Sequence, residues 1–433
     1  MENVSVKKNS RRLTLALVCW VLSLATLSSP VLAADDARIA ELQRQIEAQQ
    51  AMLEELSKQV KELRQAAANQ AVGVDQGPKP ANDTQLEVFG KPIVTSTDPR
   101  FKVKISGQVN RQVAYAEDGN NSKFYHTDSD NSPTRINIEA QGKLSDDLTV
   151  GARVEAGYQD NRPLNVNQNN ENSGFDFTSR WLETHIDSQR FGKLSIGKGF
   201  ASSFFINETD LSGTQVVSLL SPGNLFGGLL FYSNDINNYT NIRVSDVFVD
   251  LENLSIVNRV RYDSPHFYGF QLSGSTGSNQ RHDATLRYKN DIGDFRFSGA
   301  SAYQRNSFGG LLDWRVDGAL STLHKPSGLS LTGGAFYARA NSDNRHLQGF
   351  IVKGGWRKNF FDFGETALSI DYVQNDDASA DDEDGKTYSA FVVQDIDRWG
   401  MQVYGGYRYY DLDRQRLDTE SIHVPVIGTR KVF

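Results

Sequence analysis

The sequence predicts an all-β membrane protein: a 16-stranded antiparallel transmembrane β-barrel, one of whose connections folds inward, preceded by a short α-helical coiled coil. Three observations lead there. From about residue 101 to Phe433 the chain alternates apolar and polar residues, as in "FKVKISGQV", "ALSTLHKPSGLSLTGGAFYARA" and "MQVYGGYRYY". That period of two puts successive side chains on opposite faces of a strand. The segments run about ten residues, the length of a tilted strand crossing a bilayer. A polar face rich in Arg and Gly accompanies the apolar one for the whole stretch, whereas a soluble sandwich would share one apolar core.

The elements follow in chain order. Lys7, Lys8, Arg11 and Arg12 precede an apolar stretch at 13–27, and Val31-Leu32-Ala33 offers a small-residue cleavage pattern. Residues 1–33 therefore read as a secretory signal peptide, the alternative being a retained anchor helix interrupted by Ser23, Thr26, Ser28, Ser29 and Pro30. The single cysteine, Cys19, lies within that stretch, so the exported chain needs no disulfide. The formal net charge of −7 becomes more acidic once four basic residues leave with the signal, which argues against nucleic acid as a partner.

Within 34–67, Ile39, Leu42, Ile46, Gln49, Leu53, Leu56, Val60, Leu63 and Ala67 keep the 3–4 spacing of heptad a and d positions. The expectation is a periplasmic coiled coil that self-associates or reaches the cell wall or a periplasmic protein; a helix docked on its own barrel is the alternative. Residues 68–100 lose that period and read as a linker rich in Ala, Gly, Pro and Asn.

The barrel, 101–433, has strands expected near 102–115, 133–143, 148–158, 178–187, 192–198, 254–263, 268–276, 282–290, 294–304, 313–323, 329–339, 348–358, 365–374, 386–395, 399–411 and 421–433. Short connections such as "RFGK" and "HKPSG" alternate with long polar ones such as "NDDASADDEDGK", the pattern of periplasmic turns against external loops. The connection at 200–253 is abnormal. It contains "LLSPGNLFGGLLFY", too apolar for an exposed loop, and reads as a constriction loop folded into the barrel. The alternative is a hairpin at 229–233 and 244–251, which would raise the count to eighteen strands.

Parity then selects the lumen. With Ile136, Ile138 and Ala140 toward lipid, Arg135, Asn137, Glu139 and Gln141 face water; by the same rule so do Arg153, Glu155, Arg259, Arg261, Arg287, Arg296, Lys353, Arg357 and Arg408. On the fourth strand, Leu182 and Ile186 outward would send Arg180 outward too, unless a bulge intervenes. The acids at 376–384 read as a solvated external loop rather than a divalent-cation site, and no His or Cys pair has metal-site spacing, so no cofactor is expected.

The segments "PTRINIEAQGKLSDDLTVGARVEAGY", "FGKLSIGKGFAS", "NRVRYDSPHFYGFQLSGS" and "GTRKVF" resemble, in this order, parts of the trimeric general porins of Gram-negative outer membranes. That resemblance implies a homotrimer in outer-membrane lipid that passes small hydrophilic solutes. It also implies a basic ladder on early strands facing acids on a constriction loop. Arg135 and Arg153 match the ladder, Arg180 by position but not parity, and Glu208 and Asp210 would supply the acids. The N-terminal extension is similar to that of dicarboxylate-channel porins, and the excess of inward arginines suits anions or carboxylates. Two other classes stay open: a barrel anchor that tethers the envelope, and a barrel hydrolase built around His185.

Overall fold

The computed structural model describes residue 58 and residues 93–95, 100–251, 256–306 and 312–433. The expected signal peptide, coiled coil and linker fall almost wholly outside these residues. The chain divides into two units, Met1–Ala81 and Asn82–Phe433, and the second carries the barrel.

Sixteen strands make the wall: β1 (Phe101–Glu117), β2 (Arg135–Lys143), β3 (Leu148–Asp160), β4 (Phe175–Ser188), β5 (Gly192–Phe200), β6 (Ile256–Asp263), β7 (Phe270–Gly277) and β8 (Arg281–Ile292). They continue as β9 (Phe295–Asn306), β10 (Leu312–His324), β11 (Leu329–Ala340), β12 (His346–Phe361), β13 (Gly364–Asp376), β14 (Glu383–Ile396), β15 (Met401–Arg414) and β16 (Ile422–Val432). Each pairs antiparallel with its neighbour in sequence, and β16 closes on β1 with Val109 opposite Lys431. No helix among the described residues is long and apolar enough to cross a membrane.

The hydrogen-bonded sheet has eighteen members, but only sixteen lie around the circumference. Ser122–Thr127 pairs with the upper part of β1 beyond the end of β2, and Ile93–Thr95 pairs with its lower part. A closed barrel leaves no unpaired wall edge, which is what a lipid surround requires of backbone polar groups.

Alternation decides which side of each strand meets lipid. On β6, Val260 and Tyr262 are 42% and 47% exposed while Arg259 and Arg261 are buried. The turns are tight at one end: Gly328, at φ +73°, closes the β10–β11 turn where a Cβ would lie 1.8 Å from the Arg357 carbonyl oxygen. At the seam, Phe433 N donates to Gly107 O at 3.0 Å and Gly107 N to Phe433 O at 2.8 Å. The Phe433 ring lies where a Cβ on residue 107 would sit, 2.6 Å from its Cζ.

The β5–β6 loop folds inside the barrel. Its 3-10 turn Ser202–Thr209 opens the inward path. Leu225, Phe226, Leu229 and Phe231 are then buried with Tyr125, Tyr410 and Val424 in one apolar cluster. Burying each such side chain contributes about 1.5–3 kcal/mol, which accounts for an apolar run that an external loop would not tolerate. The alternative hairpin is half present. Leu230–Ser233 pairs with Asn238–Arg243 as a separate two-stranded sheet, while 244–247 forms one helical turn, so neither strand joins the wall.

Candidate functional site

Residues of six wall strands, β6, β8, β10, β12, β13 and β15, hold the loop in place. Arg259 Nε donates to the Phe200 carbonyl at 2.9 Å, Arg261 Nη1 to that of Ala201 at 3.2 Å, and Arg287 Nη2 to that of Ser202. Asp283 then accepts from Ser203 N at 2.7 Å and Ser203 Oγ at 2.6 Å. Further round, Lys353 pairs with Asp210 at 2.8 Å and Arg408 with Asp371 at 2.9 Å, all four side chains being withdrawn from solvent. Ser218 Oγ donates to Asp371 at 2.8 Å, and Tyr410 Oη to the carbonyls of Pro222 and Leu225 at 2.8 and 2.6 Å. Asn375 and Arg315 take the returning limb by the carbonyls of Val247 and Asp250. The loop is therefore laid along the wall between β6 and β15.

Strands β2 to β4 carry the opposite side, since the third and eleventh of sixteen strands face each other across a closed barrel. Three arginines converge there on one carboxylate. Glu155 is reached by Arg180 Nε at 2.6 Å, Arg153 Nη2 at 2.8 Å and Arg135 Nε at 3.8 Å. Glu139 lies 3.5 Å from Arg153, whose Nε also donates to Asn137 Oδ1 at 2.8 Å. Glu155 is buried, but the three arginine side chains keep 16–27% of their surface exposed. The cluster thus carries three cations against two carboxylates.

Arg180 enters this cluster through a bulge. Glu155 pairs with Trp181 and Ala156 with Ser179, so Arg180 is an extra residue in β4. The insertion shifts parity, and Leu182 still faces outward while Trp181 turns inward. Arg153 lies 4.2 Å and Arg259 5.7 Å from the Trp181 ring centroid, an arrangement that favours cations over the π face.

The remaining candidates divide by environment. Arg261 pairs with Asp263 at 2.7 Å, Arg259 with Glu183 at 2.6 Å, and Arg287 lies 3.9 Å from Asp263. Arg357 pairs with Glu365 at 2.7 Å and is partly exposed; Arg296 pairs with Asp291 at 3.0 Å near the β8–β9 turn. Glu208 acts electrostatically on Arg287 and Lys289 of β8. Asp210 also accepts from Ser212 N at 2.9 Å and Thr332 Oγ1 at 3.2 Å. Its side chain is fully enclosed, so it holds the loop to β12 instead of presenting a bare charge to water.

Sequence reasoning passed over Trp181, which only the bulge brings inward, and Arg430. The latter lies on β16, donates to Ser132 Oγ at 2.9 Å, and is within electrostatic reach of Arg135. Its signal was available: Pro425 and Ile427 face outward, which puts residue 430 on the inner side by parity.

The chain matches the Gram-negative porin family over residues 66–415. It belongs to that family. It is an outer-membrane, multi-pass β-barrel channel. No curated protein matches it in sequence. Among solved structures, the anion-selective porin of Comamonas acidovorans is 18% identical with a TM-score of 0.52, covering 77% of this chain and 100% of that one. OmpF of Salmonella typhi, in complex with daunomycin, is 14% identical with a TM-score of 0.52, covering 79% and 100%. A loop-deletion form of OmpT, an outer membrane protein of Vibrio cholerae, is 16% identical with a TM-score of 0.51, covering 77% and 100%. At these identities the likeness is one of fold.

Proposed function

We propose that this porin is a homotrimeric diffusion channel for small hydrophilic solutes whose constriction favours anions, small carboxylates among them. The observation that carries this reading is the convergence of Arg135, Arg153 and Arg180 on the single carboxylate of Glu155. A guanidinium presents planar paired donors that match a carboxylate, and partly exposed ones keep donors available to a passing solute. Across the lumen, Lys353–Asp210 and Arg408–Asp371 are closed neutral pairs that offset each other at short range. The excess at Glu155 then leaves net positive charge beside the aqueous path, and fixed charge of one sign lining a pore selects ions of the other. The fold likeness to a porin described as anion-selective agrees with this sign.

The test is the reversal potential of single channels across a KCl gradient in planar bilayers. The parent channel is expected to pass chloride over potassium, and Arg135→Gln with Arg153→Gln to reduce that preference. A cation-selective parent, or a double variant indistinguishable from it, would overturn the anion reading and leave the family assignment untouched. Trimerisation is tested separately by the mass of the folded protein in mild detergent, where a monomer would refute it.

A further inference from the structure

The lipid-facing side of β11 to β15 is not smooth. Three outward positions, on β12, β14 and β15, are glycine or alanine: Gly354, Ala390 and Gly405. Larger side chains stand around them, with Leu329 57%, Ile370 66% and Val392 39% exposed. Together they outline an open depression of about 650 Å³, apolar over nearly all its surface. That volume lies within the range of about 300–1,000 Å³ typical of small-molecule sites.

Cross-strand register gives the depression a direction. One row of outward residues reads Gly354, Ile370, Ala390 and Tyr407; the next reads Leu329, Trp356, Leu368, Val392 and Gly405. The third row toward the short turns reads Lys358, Thr366 and Gln394, where the wall becomes polar. Thr366 Oγ1 donates to Gln394 Oε1 at 2.5 Å, and the exposed Lys358 lies 5.8 Å from the Phe360 ring centroid. Arg398, in the β14–β15 turn, adds a second exposed cation at that end. Short turns mark the periplasmic rim of such a barrel, and Trp356, Phe360 and Trp399 sit at the height of an aromatic belt.

We infer that this face is a binding site for an anionic phospholipid of the periplasmic leaflet, its acyl chain in the depression and its phosphate at Lys358. The occupant follows from the surroundings: an outward apolar hollow is filled by hydrocarbon, and a cation just below it complements a phosphate.

The test uses the full folded protein in mild detergent, offered equal amounts of phosphatidylglycerol and phosphatidylcholine, with retained lipid counted by native mass spectrometry. Phosphatidylglycerol is expected to be retained over phosphatidylcholine by about fivefold, the factor that one lysine beside an anionic headgroup contributes. Lys358→Gln, a change at an exposed position, is expected to lower that ratio toward unity, and Ala390→Leu to lower retention of both lipids. Equal retention by the parent, or a ratio unmoved by Lys358→Gln, overturns the inference. So does a lipid-free oligomer whose assembly Ala390→Leu abolishes. Should Ala390→Leu fail to fold, as read by heat-dependent gel mobility, the Lys358→Gln ratio decides alone.

Discussion

Replacing Lys353 by methionine separates the loop's attachment from the barrel's stability. The substitution keeps most of the side-chain volume and removes the one cation paired with Asp210, at a site where neither side chain meets solvent. Removing one partner of a buried pair typically costs about 3–5 kcal/mol, because the other charge stays buried and uncompensated. Asp210 retains donors from Ser212 and Thr332, so the low end, about 3 kcal/mol, is the appropriate figure. The wall hydrogen bonds of β12 are main-chain and untouched. The cost therefore falls on loop docking, lowering the ratio of docked to undocked loop by about a hundredfold. In planar bilayers, Lys353→Met should show frequent conductance substates while keeping the parent's heat-dependent gel mobility. The double variant Lys353→Met with Asp210→Leu should return to quiet conductance, since a buried pair replaced by apolar groups is often near neutral. A single variant as quiet as the parent, or a double variant noisier than the single, would refute the claim that this pair pins the loop.

Two further outcomes follow from the same geometry. Arg180→Ala should shift the KCl reversal potential toward cations and Glu155→Gln toward anions. A unit charge about 7 Å from the ion path in water amounts to about 0.6 kcal/mol, a two- to threefold change in permeability ratio. Both shifts should shrink near 1 M salt, where the screening length falls to about 3 Å; equal shifts at low and high salt would contradict the electrostatic account. At the seam, Gly107→Val places carbon against the Phe433 ring and within 2.9 Å of the Arg135 carbonyl. Overpacking of this kind costs about 1–3 kcal/mol, so the barrel should lose its unheated gel mobility at lower temperature than the parent, and an unchanged transition would show that the seam can yield.

The wall was legible because two solvents act on every strand. Lipid outside and water inside impose a period of two, and each of the sixteen expected segments coincides with an observed strand to within a few residues at either end. The bulge was not legible in the same way. One extra residue reverses parity partway along β4, and nothing in "SRWLETH" marks where the reversal falls, so Arg180 and Trp181 could not both be placed. The inward loop announced itself by apolar content, but its small hairpin did not. Its second strand is "NYTNIR", with no apolar–polar alternation, because it lies off the wall, with Asn238, Asn241 and Arg243 exposed and no lipid boundary to face. The partners of Glu208 and Asp210 come from β8 and β12, far along the chain, and pairing over such separations leaves no local pattern.

The placement of the loop decides what the charges on the wall can do. A polar lumen with many arginines and acids has no selectivity if every cation is closed by a carboxylate at contact distance. Along β6 to β15 that closure is nearly complete, because the same side chains must satisfy the loop's carbonyls and carboxylate at low exposure, where unpaired charge is costly. Strands β2 to β4 bear no such duty. Their arginines stay partly hydrated, where an excess of like charge is tolerated, and the β4 bulge adds a third guanidinium to a carboxylate already shared by two. Docking the loop on one side thus draws the acids into structural pairs and leaves the uncompensated bases facing the remaining opening. On the proposed anion-favouring reading, selectivity is then a consequence of which wall the loop occupies, and a loop moved to β2 to β4 would remove it without changing a single charge.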